Sequence, residues 1–135
     1  MKAQCSCGSL SAEIPDTPEK VTACHCIACQ RRTGSVFGVT AAFAADDVTV
    51  SGASSIYERP TASGGTMRAH FCPACGTTLY WQSHKFPHLI GVAMGCIADP
   101  GYPAPERSVW EESKHHWVDI NSAEEHFPQG KHNRG

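Results

Sequence analysis

The chain has 135 residues and a formal charge of −2, a length that suits one domain, yet only twenty-two Leu, Ile, Val and Phe residues are available for its core. The near-neutral balance, with no Lys/Arg block beyond Arg31-Arg32, argues against a nucleic-acid surface, and no run of 18 apolar residues offers a membrane span. Eight cysteines are the obvious means of holding so thin a core.

In chain order, short segments of β-type composition recur at 9–14, 20–24, 36–43, 48–50, 55–59, 67–71, 77–82, 89–95, 107–112 and 117–120. The stretches PDTP, AADD, SGASS, TASGG and ADPGYPAP separate them, all rich in loop formers. IACQRR, followed by Gly34, predicts a short helix with glycine at its C-terminal cap. SAEEHF predicts another turn or two near the end. The expectation is one mainly β domain over residues 1–135, core about 3–127, with ten short strands and one short helix beside a cysteine cluster.

The opening MKAQCSCGSL has one lysine and no apolar segment, so no signal peptide is expected. A reducing, cytoplasmic setting would keep the sulfurs as thiols or thiolates, which leaves metal binding or catalysis. By spacing they fall into three groups and one remainder. CSCG supplies Cys5 and Cys7; CPACG supplies Cys72 and Cys75; CHCIAC supplies Cys24, Cys26 and Cys29; Cys96 stands alone.

The two-residue gap of Cys72-Pro-Ala-Cys75 turns both sulfurs towards one ion, and Gly76 can take the positive φ that closes the turn. Cys5 and Cys7, two apart on an extended segment, project to one side. Together they predict a closed four-cysteine zinc site that ties the N-terminal segment to the middle of the chain. Cys24, Cys26 and Cys29 form a second set, with His25 pointing away from it as a hydrogen-bonded or solvent-side histidine. Three thiolates alone describe a catalytic zinc with one position for water or substrate; with Cys96 as fourth ligand the site would be structural. Cys26 and Cys29 also have the spacing of a redox pair, though the alternating β and α pattern that normally carries one is missing.

The succession CSCG, CHCIACQRRTGS, FCPACGTTL, GCIADP and ERSVWEESKHHWVDI resembles the glutathione-dependent formaldehyde-activating enzymes, a family that includes the related domain of centromere protein V. The resemblance runs from Cys5 to about Phe127. It implies a zinc-stapled β-tent fold, a structural zinc on Cys5, Cys7, Cys72 and Cys75, and a catalytic zinc on Cys24, Cys26 and Cys29. It also implies addition of formaldehyde to the glutathione thiol, a carbon–sulfur lyase reaction in reverse. The expected partners are a small thiol and a small aldehyde. Two zinc ions per chain are expected, the three-ligand site holding its ion less firmly. Arg31 and Arg32 are candidates for a substrate carboxylate. Trp81, Trp110 and Trp117 are candidate pocket walls or core residues, and His115 and His116 candidate proton carriers or surface residues. A non-enzymatic zinc scaffold, with both sites structural, is the competing reading.

Overall fold

The computed structural model describes residues 1–130. The described residues form eleven strands and one α-helix: β1 Lys2–Gln4, β2 Ser11–Glu13, β3 Lys20–Cys24, α1 Ile27–Thr33, β4 Gly38–Ala44, β5 Thr49–Ser51, β6 Ser55–Pro60, β7 Thr66–Phe71, β8 Thr78–Ser83, β9 Leu89–Ala93, β10 Arg107–Val109 and β11 Glu125–His126. They form a three-stranded sheet, β1-β2-β5, and an eight-stranded sheet, β11-β10-β3-β4-β9-β8-β7-β6. Pairing is antiparallel except where β10 runs parallel to β3 and β11.

Alternation decides which side chains meet. Val21 and Ala23 pair with Ala41 and Val39, Ala41 with Val92, Phe43 with Ile90, and Tyr80 with Val92. Paired residues project from the same face, and this face packs on Ala3, Leu10, Ala12 and Ile14 of the N-terminal segment. Each fully buried Leu or Phe in such a core contributes about 1.5–3 kcal/mol. The intervening residues therefore project from the opposite face: Cys24, Thr22 and Thr40 towards one end, Gly91, Trp81, Ala69, Met67 and Arg59 towards the other. That second face receives α1. Gly38 permits the approach, because a Cβ there would lie 3.3 Å from Thr33 and 3.5 Å from the Cys29 Cβ.

The helix forms where the sequence predicts it, with Cys26 as N-cap and Gly34 left-handed at φ 70°. Four expectations need correction. β1 was not anticipated, since MKAQ has no β-branched or aromatic residue; it forms because Ala3 is buried and Lys2–Gln4 pairs with β2. Residues 117–120 are not a strand: backbone bonds from Val118 to His115 and from Ala123 to Ile120 fold them into turns, and Trp117 is 65% exposed. Residues 125–126 pair with β10 rather than forming a turn. The predicted strand 107–112 stops at Val109, since Trp110 takes a left-handed φ of 58° before a 3₁₀ turn. Among the described residues no helix is long and apolar enough to cross a membrane.

Candidate metal centres and the open face

Two cysteine clusters assemble, one of Cys5, Cys7, Cys72 and Cys75 and the other of Cys24, Cys26 and Cys29, their ligand atoms all within 4.8 Å of one another. In the first, the Cys5–Cys7 and Cys7–Cys72 sulfur separations are both 3.7 Å. Four sulfurs about 2.3 Å from a central zinc lie roughly 3.8 Å apart along the edges of a tetrahedron, so the donor set fits that ion.

Each half of this site is a small hydrogen-bonded loop. Cys5 N–H donates to Leu10 O, Leu10 N–H to the Cys5 sulfur, and Gly8 N–H to Cys5 O. Cys72 N–H likewise donates to Thr77 O, Cys75 N–H to the Cys72 sulfur, and Gly76 N–H to Cys72 O. Gly8 and Gly76 sit at φ 83° and 81°, a backbone that other residues adopt only with strain. Two hydroxyls complete the surroundings. Ser9 Oγ lies 3.1 Å from the Cys7 sulfur and 3.2 Å from that of Cys72, and Thr77 Oγ1 lies 3.3 Å from that of Cys75. The Thr77 hydroxyl bond is the main reason the Cys75 thiol is pulled down to about 5, and the Ser9 hydroxyl lowers Cys72 in the same way. Ser9 and Thr77 each stand two residues after the second cysteine of their pair, in CGS and CGT, so this repeated position was available in the sequence as a signal.

The second cluster spans the end of β3 and the start of α1. Cys26 caps the helix, its sulfur accepting from Cys29 N–H at 3.3 Å. This is the turn of Cys72 and Cys75 again, now opening a helix. Hydrogen bonds from Cys24 and Cys29 lower the Cys26 thiol, while the bonds to Cys26 and Cys29 and burial raise Cys24. Among the described residues Cys96 joins neither cluster; its thiol donates to Thr78 O at 3.7 Å.

His25 lies between two of these cysteines but faces away from them, wholly buried. Its Nε2 is 2.9 Å from Ser108 Oγ, and its ring meets Phe37 at 5.6 Å between centroids. Ser108 also hydrogen-bonds Glu111, whose Oε2 lies 2.7 Å from His126 Nδ1. Since an ionised carboxylate only accepts, Ser108 O–H donates to Glu111 and accepts from His25 Nε2–H. Burial lowers the His25 pKa and keeps the ring neutral. Gln30 on α1 donates to the carbonyls of His25 and Ser113 and meets His115 through its Oε1 at 3.3 Å. The segment carrying the three cysteines is thereby pinned to β10 and to the 3₁₀ turn that follows.

The Glu111–His126 pair gives a pH prediction. The carboxylate bond raises His126 above its ordinary value. Burial pushes the Glu111 carboxyl up, but the bonds from His126 and Ser108 outweigh it and leave the group lowered. A raised histidine stabilises the fold below its unfolded pKa, and this is lost as pH rises through the folded value; a lowered carboxyl stabilises above its unfolded pKa, and this is lost as pH falls through the folded value. The pair therefore contributes most between about pH 4.5 and 6.5. Glu111→Gln is expected to return His126 towards its ordinary value in an NMR titration; an unchanged His126 would show that the pair does not form.

Arg32 crosses the open face with its guanidinium 4.3 Å above the Trp81 ring. Trp81 itself lies across β9, where a Cβ on Gly91 would come within 2.9 Å of its Cδ1. Beside them runs a cleft of about 490 Å³ whose walls include Arg32, Phe37, Gly76, Thr77, Met94 and Cys96. It lies between the clusters, since Gly76 and Thr77 follow Cys75 and Arg32 flanks Cys29. Arg31 is exposed, as are His115 and His116, and Trp110 is half-buried. Arg59 on β6 was missed in the sequence: its charge acts on Cys26, and only strand pairing brings it to this face.

The model of one family, described as glutathione-dependent formaldehyde-activating enzyme, matches residues 1–113. A relative from Halomonas elongata named for the same family is 27% identical over 135 residues, covering 93% of this chain and 83% of the relative. The crystal structure of a Rhodobacter sphaeroides protein shares the fold, with a TM-score of 0.58 at 21% identity over 94% of this chain and 99% of the other.

Proposed function

This chain belongs to the glutathione-dependent formaldehyde-activating enzyme family, and from that premise we propose that it adds a small, glutathione-like thiol to formaldehyde or a related small aldehyde. Cys24, Cys26 and Cys29 are the ligands of the catalytic zinc in this reading, and Cys5, Cys7, Cys72 and Cys75 those of a structural zinc. The observation that carries it is the division of seven cysteines into a group of four and a group of three, with Cys96 in neither. A zinc ion held by three thiolates would keep a substrate thiol deprotonated at neutral pH and so supply the nucleophile.

In the reaction the substrate S–H bond loses its proton, a bond forms between sulfur and the carbonyl carbon, and the carbonyl oxygen takes up a proton as its π bond breaks. The product is a hydroxymethyl thioether. The chain's own residues position and shield. Gln30 and the His25–Ser108 bond fix the segment bearing the three sulfurs, so the substrate meets a set geometry. Trp81 holds the Arg32 guanidinium over the open face, where its planar fork suits a substrate carboxylate. A reducing, cytoplasmic setting belongs to the proposal, since seven ligand thiols must stay reduced.

The test is an exchange measurement with ¹³C-formaldehyde and glutathione by NMR. Exchange between free and thiol-bound formaldehyde is expected to rise above the spontaneous rate in proportion to protein concentration. No acceleration by zinc-loaded protein would rule the activity out.

A further inference from the structure

We propose that the hydroxyls of Ser9 and Thr77 form a chemical shield: they quench the two exposed sulfurs of the four-cysteine site, so that an electrophile, the aldehyde substrate included, reacts at the three-cysteine site instead. This rests on the two-zinc reading above but not on the thiol–aldehyde reaction itself. Charge and exposure create the need. A zinc ion with four thiolates carries one more negative charge than a zinc ion with three, and added charge makes sulfur the better nucleophile. Cys7 and Cys75 are also exposed, whereas Cys24, Cys26 and Cys29 are only partly so. On both counts the closed site would be attacked first. Such an attack forms a sulfur–carbon bond from a sulfur lone pair; with an aldehyde, the carbonyl π bond breaks and its oxygen takes a proton from water. A neutral thioether then stands where a charged ligand stood, and the tie between the N-terminal segment and the middle of the chain is lost.

Every sulfur of the four has a hydrogen-bond donor beside it. The two buried sulfurs take backbone amides, Leu10 N–H at 3.3 Å from Cys5 and Cys75 N–H at 3.5 Å from Cys72. The two exposed sulfurs take hydroxyls, Ser9 Oγ at 3.1 Å from Cys7 and Thr77 Oγ1 at 3.3 Å from Cys75. Ser9 Oγ also lies 3.2 Å from the Cys72 sulfur, so one hydroxyl covers a sulfur from each half of the site. Ser6 N–H donates to Thr77 Oγ1 at 3.2 Å and so fixes that oxygen. Two acceptors lie within reach of the Thr77 proton, Ser6 Oγ at 3.1 Å and the Cys75 sulfur. A charged sulfur is the stronger of the two. A donor on a thiolate lone pair stabilises the charge and lowers the nucleophilicity of the sulfur. The three-cysteine cluster is left bare by comparison. Among the described residues its sulfurs take one backbone donor, Cys29 N–H to Cys26, and the nearby Thr33 hydroxyl turns to the carbonyls of Cys29 and Gln30.

A merely structural role for the two hydroxyls would loosen the whole site when they are removed, and the experiment separates this from shielding. Zinc-loaded protein is treated with iodoacetamide, which forms a sulfur–carbon bond as iodide leaves. Labelling of each cysteine is followed by peptide mass spectrometry, and zinc release by a colorimetric chelator. In the wild type, the three-cysteine cluster is expected to label before Cys7 and Cys75. Ser9→Ala should speed labelling of Cys7, and Thr77→Val that of Cys75, each by about threefold to tenfold, with the melting midpoint and the labelling of Cys24, Cys26 and Cys29 unchanged. Ser9→Thr and Thr77→Ser keep the hydroxyl and should restore the slow rate. If Ser9→Ala does not fold, Thr77→Val decides alone. Unchanged rates, or a rise spread over all four cysteines together with a lower melting midpoint, would overturn the shield and leave the two zinc sites standing. Wild-type Cys7 and Cys75 that label as fast as free thiols would remove the four-sulfur zinc, and the shield with it.

Discussion

Cys72→Ser is expected to give a chain that does not hold its native fold. Cys72 is wholly buried, part of the core cluster, and its sulfur accepts from Cys75 N–H while sitting 3.7 Å from that of Cys7. Structural zinc sites are worth about 10–16 kcal/mol in apparent binding energy, against a whole-domain stability of about 5–15 kcal/mol. With so few large apolar residues, the core has little reserve to cover that loss. Circular dichroism and a thermal melt measure it. Cys75→Ser is the companion, since Cys75 is exposed and its replacement leaves the packing intact. Both variants should fail together. If Cys75→Ser melts like wild type, the Cys72 defect is only a polar atom in the core, and the four cysteines do not hold a stabilising ion.

Cys24→Ser is expected to do the reverse, keeping the fold and losing the reaction. Cys24 projects from the face opposite Val21 and Ala23, so its replacement opens no core cavity. A stability change within about 1–2 kcal/mol is expected. Without the full set of three thiolates the substrate thiol returns to its free pKa, where only a few per cent is thiolate at neutral pH. The loss of thiol–aldehyde addition should be on the order of tens of fold from the lost thiolate alone. Full activity in Cys24→Ser would contradict the catalytic assignment, and unfolding would make the second cluster a structural one.

The two cysteine groups were legible because ligand spacing is a local property. C-x-C and C-x-x-C bring sulfurs together through one turn, and the glycines that close those turns are visible beside them. The helix was legible for the same reason, with Cys26 and Gly34 as its ends. β1 and β11 were not, because both are held by pairing with distant strands rather than by their own composition. The same limit hid Arg59. Its place opposite Met67, two strands from Trp81, follows from register across β6, β7 and β8, which no local pattern records. His25 was half legible: alternation turned it away from the cysteines, but its burial against Ser108 depends on the parallel pairing of β3 with β10.

The most direct test of the central claim, a three-sulfur site that accepts a substrate thiol, is a native mass measurement of the chain with and without glutathione. Two zinc ions per chain are expected, one for each cysteine cluster, with one glutathione added only when both are present. Cys24→Ser should then carry one zinc and add no glutathione. Two zinc ions with no glutathione uptake, or uptake that survives in Cys24→Ser, would contradict it.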